Sequence, residues 1–126
     1  MDIKKHITAL GFVPKDGTNG IYHKIYVDYA IEIDFEKQSI NYGGGITADS
    51  KTTQNFSDAE NFVVLECVDR LLTKGYKPQN LILEKTWPSG HGTSGRLDIC
   101  VNREDGTPYM LIECKTYGKE YNKELA

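Results

Sequence analysis

A chain of 126 residues has room for one domain built on one hydrophobic core. Its 39% hydrophobic and 26% charged content is that of an ordinary folded domain and excludes wholesale disorder. A net charge of −3 weighs against a protein that merely coats nucleic acid, and the longest apolar run, residues 62–65, is far too short to cross a bilayer.

The opening residues Met-Asp-Ile-Lys-Lys-His have no apolar stretch behind their lysines and do not read as a signal peptide. Cys67, Cys100 and Cys114 are odd in number, widely spaced and set in apolar segments. With no Cys-x-x-Cys pair to suggest zinc, they read as free, buried thiols. These features point to a cytoplasmic protein with no membrane contact.

Along the chain, Ile3, Ile7 and Leu10 share one helical face, and Gly11 follows as a stop. Over residues 21–42 the pattern changes to alternation. Ile31, Ile33 and Phe35 point one way and Glu32, Asp34 and Glu36 the other, which predicts a half-buried strand within an antiparallel meander. Residues 43–55 form a polar, glycine-led stretch without periodicity and read as a loop. Ser57-Asp58-Ala59-Glu60 reads as a capping box, with Ser57 as N-cap and Glu60 reaching back. The helix it opens is crowded with Phe62, Val63, Val64, Leu65, Val68, Leu71 and Leu72, and Gly75 ends it. Residues 81–84 predict a short strand, followed by the glycine-rich stretch Ser89-Gly90-His91-Gly92-Thr93-Ser94-Gly95. Its glycines would let backbone approach a ligand closely, and it lacks a P-loop pattern.

The last segment carries the chemistry. Two strand-like runs, residues 97–101 and 109–115, flank Asp105-Gly106, a signal for a two-residue hairpin turn with both residues at positive φ. Counting back from that turn pairs Arg103 with Pro108 at a position needing no N–H, and places Asp98 opposite Glu113. Their Cβ atoms would lie roughly 5 Å apart on one sheet face, with Lys115 two residues further along it. Ile99, Val101, Met110 and Ile112 would take the other face. Two carboxylates so close repel unless a cation sits between them, and a hard divalent ion such as Mg²⁺ suits oxygen ligands. Such an ion, with a lysine beside it, suits phosphodiester hydrolysis. A solvated salt-bridge cluster of Asp98, Glu113 and Lys115 is the competing explanation.

Gly95-Arg96-Leu97-Asp98-Ile99 followed by Leu111-Ile112-Glu113-Cys114-Lys115 resembles the PD-(D/E)xK nuclease signature, an aspartate on one strand and Glu-x-Lys on the next. Glu60-Asn61-Phe62-Val63-Val64, Gly75-Tyr76 and Leu83-Glu84-Lys85 extend the likeness. Together, over roughly residues 55–121, they are similar to the N-terminal nuclease domain of type I restriction-enzyme R subunits and of related nuclease–methyltransferase fusions. The resemblance implies a mixed α/β (α+β) fold with a restriction-endonuclease-like core, a mixed central β-sheet flanked by helices. It implies one nuclease domain over residues 1–126 with the N-terminal helix and meander attached, and a site-directed endodeoxyribonuclease activity dependent on Mg²⁺, with Mn²⁺ as a substitute.

On that resemblance Asp98 and Glu113 would bind the metal, the backbone carbonyl of Cys114 would be a third ligand, and Lys115 would position the attacking water. Glu60 would be the acidic residue contributed by the preceding helix, with Glu66 as its rival and the capping role as its competing explanation. The partners implied are double-stranded DNA and methyltransferase, specificity or helicase subunits or domains, with a dimer needed to cut both strands. Leu97 departs from the family's usual proline. No Gln-x-x-x-Tyr motif follows Lys115, which suggests an N-terminal fragment of a longer protein. A non-catalytic docking or DNA-contacting module with the same fold is the alternative. His91 and Arg96 are candidate phosphate contacts, Trp87 a candidate stacking residue, and Glu84 a lesser candidate for the same site.

Overall fold

The computed structural model of the protein describes residues 2–88 and 94–114. The first helix, α1 (Ile3–Ala9), is capped by the Asp2 side chain, which accepts the Lys5 N–H at 3.1 Å. It closes at Gly11, whose φ of +102° suits a residue without Cβ. Four antiparallel strands follow in the order β1 (Val13–Pro14), β2 (Ile21–Tyr26), β3 (Tyr29–Asp34) and β4 (Ser39–Asn41). The alternation predicted for β3 holds, with Ile31 and Ile33 wholly buried.

A second four-stranded sheet runs in the order β5 (Thr47–Ala48), β6 (Leu81–Pro88), β7 (Ser94–Asn102) and β8 (Pro108–Ile112). β5 pairs parallel to β6 and the rest pair antiparallel, so this sheet is mixed. The long helix α2 (Glu60–Thr73) inserts Phe62, Val64, Leu65 and Val68 into one core with Ile31, Ile33 and Ile40 of the meander and Leu81, Leu83, Ile99 and Val101 of the mixed sheet. Edge-to-face contacts from Tyr22 through Phe35 and Phe56 to Phe62, at 5.2–5.4 Å, tie the meander to α2. The chain is thus a mixed α/β fold, as the resemblance implies.

Three local expectations are corrected. Residues 43–55 are not all loop, because Thr47 and Ala48 pair with Ile82 and Leu83 as β5; two residues are too few to show periodicity. The capping box does not form. Both the N–H and the hydroxyl of Ser57 donate to the Asn55 side-chain oxygen, at 2.9 and 2.5 Å, and α2 begins instead with Ala59 as N-cap. Just before it, the Asp58 carboxylate accepts the Glu60 N–H at 2.9 Å. The hairpin loop has three residues rather than two. The Arg103 N–H donates to Thr107 O, the Gly106 N–H donates to Arg103 O, and of the loop residues only Gly106 has positive φ.

Candidate functional site

β7 and β8 build the candidate site. From the loop outward the ladder pairs Asn102 with Pro108, but then Val101 with Met110, leaving Tyr109 as an extra, bulged residue. The longer loop shifts the register by one and the bulge shifts it back. Cys100 therefore meets Leu111, and Ile99 meets Ile112. The ladder ends there; continued by one step, this register would set Asp98 opposite Glu113, the expected pairing, through two compensating irregularities. Without the Tyr109 bulge, Asp98 would stand opposite Ile112.

Asp98 is half-buried and its Oδ2 accepts the backbone N–H of Cys114 at 2.6 Å. That bond fixes the carboxylate against the peptide joining Glu113 to Cys114. Glu113 lies one residue beyond β8 with its side chain exposed. Lys115 falls outside the described residues, as do residues 89–93 with His91, the expected helix opening in the tail, and the side chains of Trp87 and Arg96.

Helix α2 faces this strand end. The Cys67 thiol on α2 has its pKa lowered chiefly by interaction with Cys114, opposed by burial and assisted by the Arg70 charge. Cys114 is pushed up by the same interaction and by burial, then by the charges of Cys67, Asp98 and Glu60. The fields of Asp98 and Glu60 thus meet at the Cys114 thiol. Glu60 opens α2 as its first residue, without the reciprocal capping-box bond to Ser57. Glu66 has its own partners, Arg70 at 2.7 Å and His6 at 3.6 Å.

Glu84 stands on β6 between Leu83, paired with Ile99, and Lys85, paired with Leu97, which sets it across from Asp98. It is 1% exposed and adopts φ +51° within a strand. Its carboxylate accepts the Thr52 hydroxyl and, at 3.2 Å each, the Thr53 N–H and hydroxyl. Beside it the wholly buried Tyr42 hydroxyl is held far above its ordinary pKa by burial and by the charges of Cys114, Cys67 and Glu84. It has no hydrogen-bond partner among the described residues. Nothing in the local sequence marks Tyr42, Thr52 or Thr53. Glu84 could be singled out only as an acid following the apolar run Leu81-Ile82-Leu83.

Among the described residues no three His, Cys, Asp or Glu side chains are already drawn together as a metal cage. The donors at the β7–β8 end suit a hard cation nonetheless: the Asp98 carboxylate, an exposed Glu113 carboxylate and a peptide carbonyl are all oxygen. Two protein carboxylates with water completing the shell is the usual arrangement for Mg²⁺.

Among known proteins, the family model described as type I restriction enzyme R protein N terminus (HSDR_N) matches residues 59–125, which take in α2 and strands β6 to β8. No curated protein and no solved structure gives a significant match.

Proposed function

We propose, for a chain that belongs to the type I restriction enzyme R protein N-terminal family, that its β7–β8 end is a metal-dependent DNA endonuclease site of the PD-(D/E)xK kind. The observation that carries this reading is the Asp98 Oδ2 to Cys114 N–H bond at 2.6 Å, reached through a register that needs the Tyr109 bulge. A carboxylate anchored to the backbone between Glu and Lys of a Glu-x-Lys segment is arranged for ligation rather than for a mobile surface ion pair.

In this reading Asp98 and Glu113 hold Mg²⁺, with the Cys114 carbonyl as a third oxygen, and Mn²⁺ substitutes. Mg²⁺ supplies charge that polarises a phosphate oxygen and lowers the pKa of a bound water. The backbone N–H of Cys114 keeps Asp98 in place, Lys115 orients the attacking water, and Glu60 adds negative charge from α2. The substrate is double-stranded DNA. With a net charge of −3, basic surface for the duplex would come from methyltransferase, specificity or helicase subunits, and a second copy would be needed to cut both strands.

Titration of Mg²⁺ or Mn²⁺ into the protein by calorimetry, beside Asp98→Ala and Glu113→Ala, with plasmid nicking on the same samples, tests this. Metal binding and nicking that vanish in both variants support it. Binding without nicking retains the metal site and assigns cutting to the assembled enzyme. A wild-type protein that binds no metal, with both variants folded, refutes it in favour of a docking module.

A further inference from the structure

The far end of α2 closes in a glycine-capped turn. The Tyr76 N–H donates to Leu71 O at 3.1 Å, the Gly75 N–H donates to Leu72 O at 3.0 Å, and Gly75 takes φ +103°. This turn and the turn between β2 and β3 wall a slot of about 150 Å³, with Tyr26 and Tyr29 on one side and Leu72, Tyr76 and Pro78 on the other. A Cβ built on Gly75 would meet nothing within 4 Å, so the space beside it is open. The tyrosine walls are already fixed. The Tyr26 hydroxyl donates to Asp69 of α2 at 2.6 Å, and the Tyr29 hydroxyl donates to Tyr42 O and accepts the Ile46 N–H at 3.2 Å. A shallower hollow of about 450 Å³ at Lys74 adjoins the slot through Gly75 and Tyr76.

Size and charge together select the occupant. The slot is smaller than the roughly 300 Å³ at which small-molecule sites begin, so it suits one large side chain rather than a cofactor. Among the described residues lining the two hollows, Lys74 and Lys77 stand against one carboxylate, Asp28. Lys77 pairs with Glu104 at 3.0 Å, but both side chains are largely exposed and such a pair exchanges readily. Val27, on the β2–β3 turn, is fully exposed at φ +53°, a conformation unfavourable to a β-branched residue. An apolar side chain held there, in contact with solvent alone, fits a surface completed by a partner.

We propose that this cleft is a docking site for an extended acidic segment of a partner protein. One aromatic side chain of that segment fills the slot against Val27, and its flanking carboxylates meet Lys74 and Lys77. The cleft lies about 20 Å along the 14-residue α2 from Glu60, so the proposal does not depend on the nuclease reading.

Two-dimensional NMR of the whole isotope-labelled chain, titrated with blocked peptides, tests it. The probes are Asp-Glu-Phe-Asp-Glu, the same peptide with alanine at its centre, and Lys-Lys-Phe-Lys-Lys. The first should give saturable shifts at the Val27, Gly75 and Tyr76 amides, and the other two should bind about tenfold more weakly. Lys74→Gln with Lys77→Gln should weaken the acidic peptide about fivefold. Val27→Gly should also weaken it, about threefold, while melting at a higher temperature than the wild type, a combination that a merely structural role for Val27 does not give. No saturable shift at those amides, equal binding of the lysine peptide, or an undiminished affinity in the folded lysine variant would overturn the proposal. So would stronger shifts at the same amides with single-stranded oligothymidine, which would make the cleft a nucleic-acid site instead.

Discussion

Replacing Glu84 separates two effects that meet at one residue. The side chain is 1% exposed and accepts from the Thr52 hydroxyl and from the Thr53 N–H and hydroxyl. Glu84→Ala leaves those donors without their charged acceptor. Hydrogen bonds to a charged group are worth about 1.5–3 kcal/mol each, but the buried carboxylate also carries a desolvation cost, so the net loss is about 3 kcal/mol. Glu84→Gly loses the same contacts. At φ +51°, however, it escapes the left-handed penalty that alanine retains, so it should be more stable than Glu84→Ala by about 1 kcal/mol. In an ordinary strand the order is the reverse, with glycine worse by about 0.5–1 kcal/mol. The sign therefore reports the backbone, and the size of the loss reports the carboxylate. Urea unfolding followed by circular dichroism reads both. With a slope of about 2 kcal/mol/M, the two variants should differ by about 0.5 M in midpoint. An alanine variant as stable as the glycine variant would refute the left-handed conformation, and one as stable as the wild type would refute the role of the carboxylate in holding residues 52 and 53.

Val27 occupies the two-residue turn between Tyr26 and Tyr29 at φ +53°, fully exposed, so Val27→Gly should raise stability by about 1 kcal/mol and the melting temperature by about 4 °C. Asp69, 6% exposed, accepts from Lys24 Nζ and the Tyr26 hydroxyl at 2.6 Å each; Asp69→Ala should cost about 3 kcal/mol in urea, and adding Lys24→Met should recover part of it. Deleting Tyr109 removes the bulge that returns the β7–β8 register, so calorimetry should show Mg²⁺ binding lost while circular dichroism still shows a folded chain.

The elements with strong local signals were legible in the sequence. The 3.6-residue spacing of Ile3, Ile7 and Leu10 with Gly11 behind it marks α1, and the alternation of Ile31 and Ile33 marks β3, because each pattern reflects burial of one face. What failed was decided by competition for hydrogen bonds or by contacts remote in sequence. Ser57 looks like an N-cap, but Asn55 binds its N–H and hydroxyl and also takes the Asn61 amide, so the helix starts later. β5 exists only because β6, more than thirty residues away, offers it a parallel edge. The pairing of the β7–β8 hairpin was reached through the wrong turn. A two-residue loop and a three-residue loop followed by a one-residue bulge give the same register beyond the bulge, and only the second is realised. The surroundings of Cys114 had no sequence signal, since Tyr42, Cys67 and Asp98 lie far apart along the chain.

The two irregularities in the mixed sheet bear on one residue. Glu84 departs from strand geometry directly across β6 from Asp98, and Tyr109 bulges from β8 on the other side, setting which residue Asp98 meets. Both are unfavourable locally: a left-handed non-glycine residue costs about 1–2 kcal/mol, and a bulge forgoes ladder pairing. A hairpin that served only to cover the core would be as well covered by regular strands, since Ile99 and Val101 are buried whichever residue faces Asp98. What the irregular geometry adds is polar placement. It lets Glu84 turn its carboxylate inward to Thr52 and Thr53, and it brings Asp98 to the Cys114 N–H at the start of Glu-x-Lys. Strain concentrated on both flanks of one half-buried carboxylate supports a site that the surrounding fold holds in place. It also locates the test of that view, because regularising either flank should gain or preserve strand pairing and cost metal affinity.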